Sequence, residues 1–325
     1  MPAKPKFAFY WAASCGGCEI TITELGMRLV DFSEKVDIVF WPAAMDYKYE
    51  DVRSMKDKEI DFTFFNGAIR NSENEEMAHL LREKSKILIA FGSCSHLGGI
   101  PGLANMFDIE SICERVYDTT PSLDKSKGTR PLIKSKMPEG KIFLPELYNQ
   151  VKTLAQVTDV DYFMPGCPPV VDQIWKVFNA ILEGKLPPKG SVIGADTKTV
   201  CDVCTRKKVE PGFKIKEFHR PHEVELDPDL CFLAQGVICC GPVTRAGCGI
   251  PCLKGNMPCR GCYGPAEGIE DQGAKLASAI AAIIDTDDAE ALQQTLASIV
   301  DPAGTFYRFS LADSIISQIK YKKGT

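Results

Sequence analysis

The sequence predicts an α/β protein in two parts. A doubly wound parallel sheet fills about residues 1–190, and an irregular half closed by helices fills 191–325. Three observations carry this expectation. Short apolar runs alternate with helix-spaced segments through the first half. Those runs are nearly continuous in apolar residues, as strands covered on both faces are. After Leu186-Pro-Pro-Lys-Gly190 the alternation stops, and Gly, Pro and Cys dominate to about Gly264.

Taken in order, residues 6–12 read as a buried first strand. Cys15-Gly-Gly-Cys18 turns the corner, and residues 19–32 carry Ile20, Ile22, Leu25, Leu29 and Val30 close to helical spacing. Residues 36–41 make a second strand ended by Pro42, and residues 60–66 a third. Ser72 caps a helix, with Glu75 three residues on and Met77, Leu80 and Leu81 as its apolar stripe. Residues 86–92 give a fourth strand and 162–165 a short fifth. Residues 168–182 are helical, with Pro168 near the first turn and Gly184 past the last. The order is that of a flavodoxin-like doubly wound domain. Residues 103–148 depart from it: they are rich in Lys, Pro, Ser and Asp and weakly periodic. They read as an insertion on the sheet's rim, either a partner-docking loop or solvated padding. Beyond 190, residues 268–284, 289–300 and 311–319 read as helices, the last one amphipathic.

With 325 residues and 45% hydrophobic content, the chain can bury a sizeable core and suggests about two domains. A net charge of −5 lacks the basic excess that nucleic acid demands. No apolar run approaches the ~18 residues of a membrane span. Phe7-Ala-Phe-Tyr-Trp11 is too short and aromatic for a secretory signal. A cytoplasmic location is therefore expected, where thiols stay reduced. That turns the fourteen cysteines away from disulfides and toward metal. No hydrolytic or phosphate-loop motif appears, and no G-x-G-x-x-G follows the first strand.

The cysteines fall into sets. In a parallel α/β sheet, ligands gather at the carboxyl ends of the strands. Cys15 and Cys18 follow the first strand, Cys94 the fourth and Cys167 the fifth, so the fold brings these four to one edge. Flanking glycines let the backbone approach closely. Helix starts at Cys18 and Pro168 favour a negatively charged group there. One such cysteine would ordinarily be a small buried hydrophobe; four at strand ends make a site. Seven more lie from Cys231 to Cys262, where too few regularly spaced apolar residues exist to build an element, so the thiols must organise the segment. Cys201, Cys204, Cys231 and Cys239 form one economical set, and Cys248, Cys252, Cys259 and Cys262 another. Spacing alone does not choose between Cys239 and Cys240. Cys113, inside the insertion, is a bystander. Zinc is the competing chemistry, because C-x-x-C pairs also build zinc ribbons. Here, however, 54 residues separate Cys204 from Cys259 and hold five more cysteines, against about 15–20 in a ribbon. Twelve thiols in three sets suit iron–sulfur clusters and an electron relay better than three structural zincs.

These residues resemble the small subunit of [NiFe]-hydrogenases. The resemblance rests on Cys15-Gly-Gly-Cys18, Gly92-Ser-Cys94, Pro165-Gly-Cys167-Pro-Pro and Pro258-Cys259-Arg-Gly-Cys262-Tyr-Gly-Pro, in that order over most of residues 6–265. The run from Cys231-Phe-Leu through Cys239-x-Gly-Pro to Cys248 is similar to the cytoplasmic methyl-viologen-reducing type, found with heterodisulfide reductase. It favours Cys239 over Cys240. The resemblance implies a proximal cluster on Cys15, Cys18, Cys94 and Cys167, beside a nickel–iron centre in a separate large subunit. It implies a medial cluster on Cys248, Cys252, Cys259 and Cys262 and a distal one on Cys201, Cys204, Cys231 and Cys239. Respiratory members of the family carry a histidine where Cys201 stands, and three cysteines with a proline at the medial cluster. This chain has cysteines throughout, so three all-cysteine [4Fe–4S] clusters are expected. Thiolate in place of imidazole adds negative charge and lowers the potential. The implied role is electron transfer from H2 oxidation to an iron–sulfur or flavin acceptor such as heterodisulfide reductase, with a small [2Fe–2S] delta subunit as neighbour. Small subunits of sulfhydrogenases or of deazaflavin- or NAD(P)-reducing hydrogenases are the alternative within the class. A zinc-stabilised scaffold and a quinone-reducing subunit with one cluster are the alternatives outside it.

Other residues stand out. Glu19 is a candidate proton route, or else a first-turn acid complementing the helix dipole. His96 either hydrogen-bonds the cluster or partner, or is a polar loop histidine. His219 and His222 are spaced like a metal pair but read as surface residues, since the three sets leave no vacancy. Arg260 is placed to donate to cluster sulfur or to the partner.

Overall fold

Five strands pair in parallel: β1 (Lys6–Trp11), β2 (Asp37–Phe40), β3 (Ile60–Asn66), β4 (Ser85–Phe91) and β5 (Tyr162–Met164). Their order across the sheet is β2-β1-β3-β4-β5, which is the flavodoxin order. The structure is a computed structural model that describes residues 3–124, 129–208, 210 and 212–316.

The strands are continuous in apolar residues because both faces are covered. Phe7, Phe9, Phe62, Phe64, Ile89 and Phe91 point to one side. There they meet α2 (Met27–Lys35) and α5 (Val171–Leu182) through Phe32 and Phe178, whose rings lie 4.0 Å apart. Ala8, Tyr10, Phe65, Leu88 and Ala90 point to the other side, against Met77, Ala78 and Leu81 of α3 (Ser72–Lys84). Fully burying one such large side chain stabilises by about 1.5–3 kcal/mol, so the sheet is a firm platform for its carboxyl edge.

Three expectations about the helices of the first half are corrected. The helix expected over 19–32 is two, α1 (Gly17–Thr23) and α2, split where Gly26 takes φ 59°. Asn71, not Ser72, caps α3: its side chain accepts from the Asn74 N–H at 2.8 Å, while the Ser72 hydroxyl accepts from Glu146 N. α5 begins at Val171, so Pro168 precedes the helix instead of opening it.

The stretch 103–148 is more ordered than its composition suggests. Lys134–Met137 pairs antiparallel with Gly140–Phe143, and Leu147–Lys152 pairs antiparallel with Ile69–Asn71. After Gly190 the chain returns to the sheet: Phe163 N–H donates to Ser191 O, and Ile193 N–H donates to Phe163 O. Short helices then carry the cysteine loops, α6 (Val200–Val203) and α7 (Pro251–Lys254). They are followed by α8 (Gln272–Ala281), α9 (Ala289–Ala297) and α10 (Pro302–Phe306). Of the helix expected over 311–319, Leu311–Asp313 is a 3-10 turn, and residues 317–319 lie outside the described residues. No helix among the described residues is long and apolar enough to cross a membrane.

Candidate metal centre

The parallel sheet delivers the first four cysteines to one edge. Cys15 and Cys18 follow β1 into α1, Cys94 lies in α4 (Ser93–Leu97) after β4, and Cys167 follows β5. Burial raises the Cys18 thiol well above its usual range, and then repulsion from Cys94, Cys167 and Cys15 adds to it. Burial likewise pushes Cys94 up to about 12, with Cys167 and Cys15 adding to it. The four are therefore one electrostatic group, and as thiolates they require a cationic centre among them. The backbone is shaped to their sulfurs. A Cβ on Gly92, at φ 84°, would stand 2.6 Å from Cys18 Sγ, and one on Gly99 would stand 2.6 Å from Cys94 Sγ. Asn66, the last residue of β3, is fully buried; it donates to Phe91 O at 3.1 Å and toward the Cys18 thiol, and accepts from Ser14 Oγ at 2.6 Å. The sequence reading missed Asn66, whose only signal is an amide ending an otherwise apolar strand.

Cys201, Cys204, Cys231 and Cys239 form a second group. Burial pushes Cys201 up to about 12, and Cys239, Cys231 and Cys204 are the charges that reach it next. Gly241 lies against them: a Cβ there would meet Cys201 Sγ at 3.2 Å and Cys239 Sγ at 3.5 Å. Arg206 ties the group's loops together, a role the sequence did not disclose. Its guanidinium lies 3.8 Å from the Phe232 ring centroid and donates to Leu230 O at 2.8 Å and Asn256 Oδ1 at 2.5 Å. It thus pins the turn before Cys231 to the turn after Cys252. Cys240 faces elsewhere: it is buried, and its thiol lies 3.9 Å from Thr305 O in α10.

Cys248, Cys252, Cys259 and Cys262 line a cavity of about 480 Å³ together with Cys167, Pro251 and Tyr263. Burial raises Cys262 to about 12, followed by Cys248, Cys167 and Cys252. Cys259 is raised by burial and then by Cys239, Cys240 and Cys262, so it stands at the seam between the second and third groups. Two contacts join the three groups. The Ser93 hydroxyl donates to Cys262 O and accepts from Gly166 N–H at 3.3 Å, linking the loops of the first group to the third. The Cys259 N–H donates to Cys239 Sγ at 3.3 Å, linking the third to the second.

Among the described residues, no three His, Cys, Asp or Glu side chains converge tightly enough to hold a single metal ion. The thiols of the third group instead line a cavity, and a polynuclear cluster has dimensions of its own. All-thiol quartets, glycine cradles without room for a Cβ, and N–H groups aimed at sulfur fit iron–sulfur clusters.

The remaining candidates separate. Glu19 is 9% exposed, and Trp41 Nε1 donates to its Oε1 at 2.9 Å. It lies in the first turn of α1, as one of the two readings had it, and burial holds its carboxyl above the usual range. His96 packs on Phe163 with ring centroids 4.8 Å apart and its buried Nδ1 unpartnered. Burial, then Arg245, lowers it to about 3, so it is neutral. His219 and His222 line a separate cavity of about 420 Å³, which Arg260 enters from the last cysteine pair. Cys113 is half-buried in the insertion, at the end of the Ile109–Cys113 helix.

The profile of the family described as NADH ubiquinone oxidoreductase, 20 Kd subunit, matches residues 15–181. The iron-sulfur subunit of the F420-non-reducing hydrogenase of Archaeoglobus profundus is 40% identical over 321 residues, 98% of this chain and 99% of that protein. The corresponding subunit of the F420-non-reducing hydrogenase of Methanothermobacter marburgensis is 36% identical over 327 residues, covering 100% of both. Among solved structures, a chain of an NAD+-reducing [NiFe]-hydrogenase in the H2-reduced state aligns with a TM-score of 0.48 and 29% identity, over 57% of this chain and 94% of that one.

Proposed function

This chain belongs to the family of F420-non-reducing hydrogenase iron-sulfur subunits, within the wider family of the NADH ubiquinone oxidoreductase 20 Kd subunit, and from that premise we propose that it is the electron-transfer small subunit of a cytoplasmic [NiFe]-hydrogenase. A hydrogenase is an oxidoreductase acting on hydrogen, H2 ⇌ 2H⁺ + 2e⁻. In this reading, bond cleavage belongs to the nickel–iron centre of a large subunit. Three [4Fe–4S] clusters, when bound, supply one-electron carriers. Cys15, Cys18, Cys94 and Cys167 hold the proximal cluster. Cys248, Cys252, Cys259 and Cys262 hold the medial one, and Cys201, Cys204, Cys231 and Cys239 the distal one.

One observation carries the reading: the two junctions support a single file of groups. Ser93 and Cys167 reach the Cys262 loop, and the Cys259 N–H reaches Cys239 Sγ. Neither end group needs to touch the other. The chain's own residues do the rest. Asn66 and backbone N–H groups aimed at sulfur stabilise the thiolate form. Glu19, buried against Trp41 beside Cys18, is the candidate for a proton route toward the large subunit. Electrons leave toward an iron–sulfur or flavin acceptor, such as heterodisulfide reductase, by way of a small [2Fe–2S] delta subunit.

The test is a Cys259→Ala variant assembled with its large subunit under anaerobic conditions. Hydrogen–deuterium exchange, which needs no net electron flow, should persist. H2-driven reduction of methyl viologen should fall at least about tenfold. Equal retention of both activities would refute the relay.

A further inference from the structure

The cavity of about 420 Å³ beside the cysteine-rich half is lined by three arginines, Arg220, Arg260 and Arg308, together with two histidines, His219 and His222. The Arg260 and Arg308 guanidinium groups are close enough to repel each other, and Arg308 Nε is buried with no hydrogen-bond partner. Among the described residues, no carboxylate pairs with either. The one acid in the lining, Asp301, is engaged at the start of α10, where its Oδ1 accepts from Gly304 N–H at 3.0 Å. Three guanidinium groups around one carboxylate leave the lining with excess positive charge, which favours an anion that completes the site.

We propose that this cavity is the docking socket for a carboxylate-bearing segment of the electron-accepting protein subunit. The position argues for that occupant. Every lining residue lies between 218 and 308, with none from the sheet edge that carries Cys15. Arg260 sits inside the last C-x-x-C, and its charge interacts with Cys240, Cys239 and Cys252. A carboxylate held by Arg260 therefore sits beside the residue that follows Cys259, within electrostatic reach of Cys239 and Cys252. Met257 and Val300, each about half exposed at 45% and 51%, give the rim apolar surface for the carbon chain that bears the acid. Guanidinium is suited to this, because its planar fork matches a carboxylate in two parallel hydrogen bonds. Opposite charge also steers diffusional encounter, so the socket would guide the acceptor to the half of the chain that carries the second and third groups.

The inference rests on the relay reading, and its test separates the two. The hydrogenase complex is purified anaerobically with wild-type chain, with Arg220→Glu, with Arg308→Gln and with Arg308→Lys. Two quantities are read: retention of the acceptor subunit from low to high NaCl, and the ratio of H2-driven reduction of the protein acceptor to that of methyl viologen. The viologen rate alone reports the relay; the ratio reports docking. Arg220→Glu and Arg308→Gln should shed the acceptor at lower salt and drop the ratio about tenfold, while Arg308→Lys restores most of it. In the wild type, inorganic phosphate should release the acceptor more readily than chloride at matched ionic strength, and Arg308→Gln should abolish that difference. Unchanged retention and ratio in both charge-removing variants would overturn the proposal. So would phosphate binding at the cavity that leaves the acceptor in place, which would make it a site for a free anion instead.

Discussion

The choice between Cys239 and Cys240 turns on where neighbouring atoms stand, which is why spacing could not make it. Cys239 receives the Cys259 N–H and feels Cys231 and Cys204, whereas the Cys240 thiol turns to Thr305 in α10. Cys240→Ala should therefore keep the full iron content, and Cys239→Ala should lose about four irons per chain; the reverse pattern would reassign the ligand. Glu19 carries a second residue-scale outcome. Glu19→Gln keeps the side chain's shape and its acceptance from Trp41, but removes the ionisable proton. Iron content should be unchanged while H2 oxidation falls at least about tenfold, within the range of a lost acid–base group. A full rate would remove Glu19 from any proton path. At this scale the cysteines were legible, because a thiol's chemistry is fixed by its identity. Asn66 and Arg206 were not. Their roles depend on which chain segments the fold brings beside them, and an amide or guanidinium alone announces no partner.

At the scale of elements, the sheet was readable because strands covered on both faces are nearly continuous in apolar residues, as β1, β3 and β4 are. The break between α1 and α2 was hidden because the apolar spacing continues across Gly26, and only its backbone conformation interrupts the helix. The insertion was misleading for the opposite reason: its ribbons are exposed, so they need no apolar period. One ion-pair cluster ties these elements together. Asp161, just before β5, is 5% exposed and accepts from Leu88 N–H of β4 at 2.8 Å. It also pairs with Arg82 of α3 at 2.6 Å and with Lys189 at 2.5 Å. Burial acts to raise its pKa, but Lys189, Arg82 and the Leu88 N–H together outweigh it and hold the carboxyl below the usual range. With the folded value depressed, this stabilisation is present above the unfolded value near 4, and is lost as pH falls through the folded value. Asp161→Asn should lower stability at pH 7 by about 3 kcal/mol. It should also flatten the acid limb of a stability–pH curve. An unaltered acid limb would show that the cluster contributes nothing.

At the scale of the whole molecule, the order of the three thiol groups is set by contacts between residues far apart in sequence, such as Ser93 with Cys262. No local pattern could reveal those contacts, although the motifs along the chain suggested the grouping proposed above. The fold supplies a rigid edge for the first group, and the loops pinned by Arg206 supply the other two. The central claim is that this single chain holds three all-cysteine clusters in file. Its most direct measurement is iron, acid-labile sulfide and zinc on the anaerobically purified complex, with an EPR-monitored redox titration of the same sample. Corrected for metal in the other subunits, the account predicts about twelve irons and twelve sulfides for this chain, no stoichiometric zinc, and three separately titrating [4Fe–4S] signals. About four irons with a single signal, or stoichiometric zinc in a colourless protein, would contradict it.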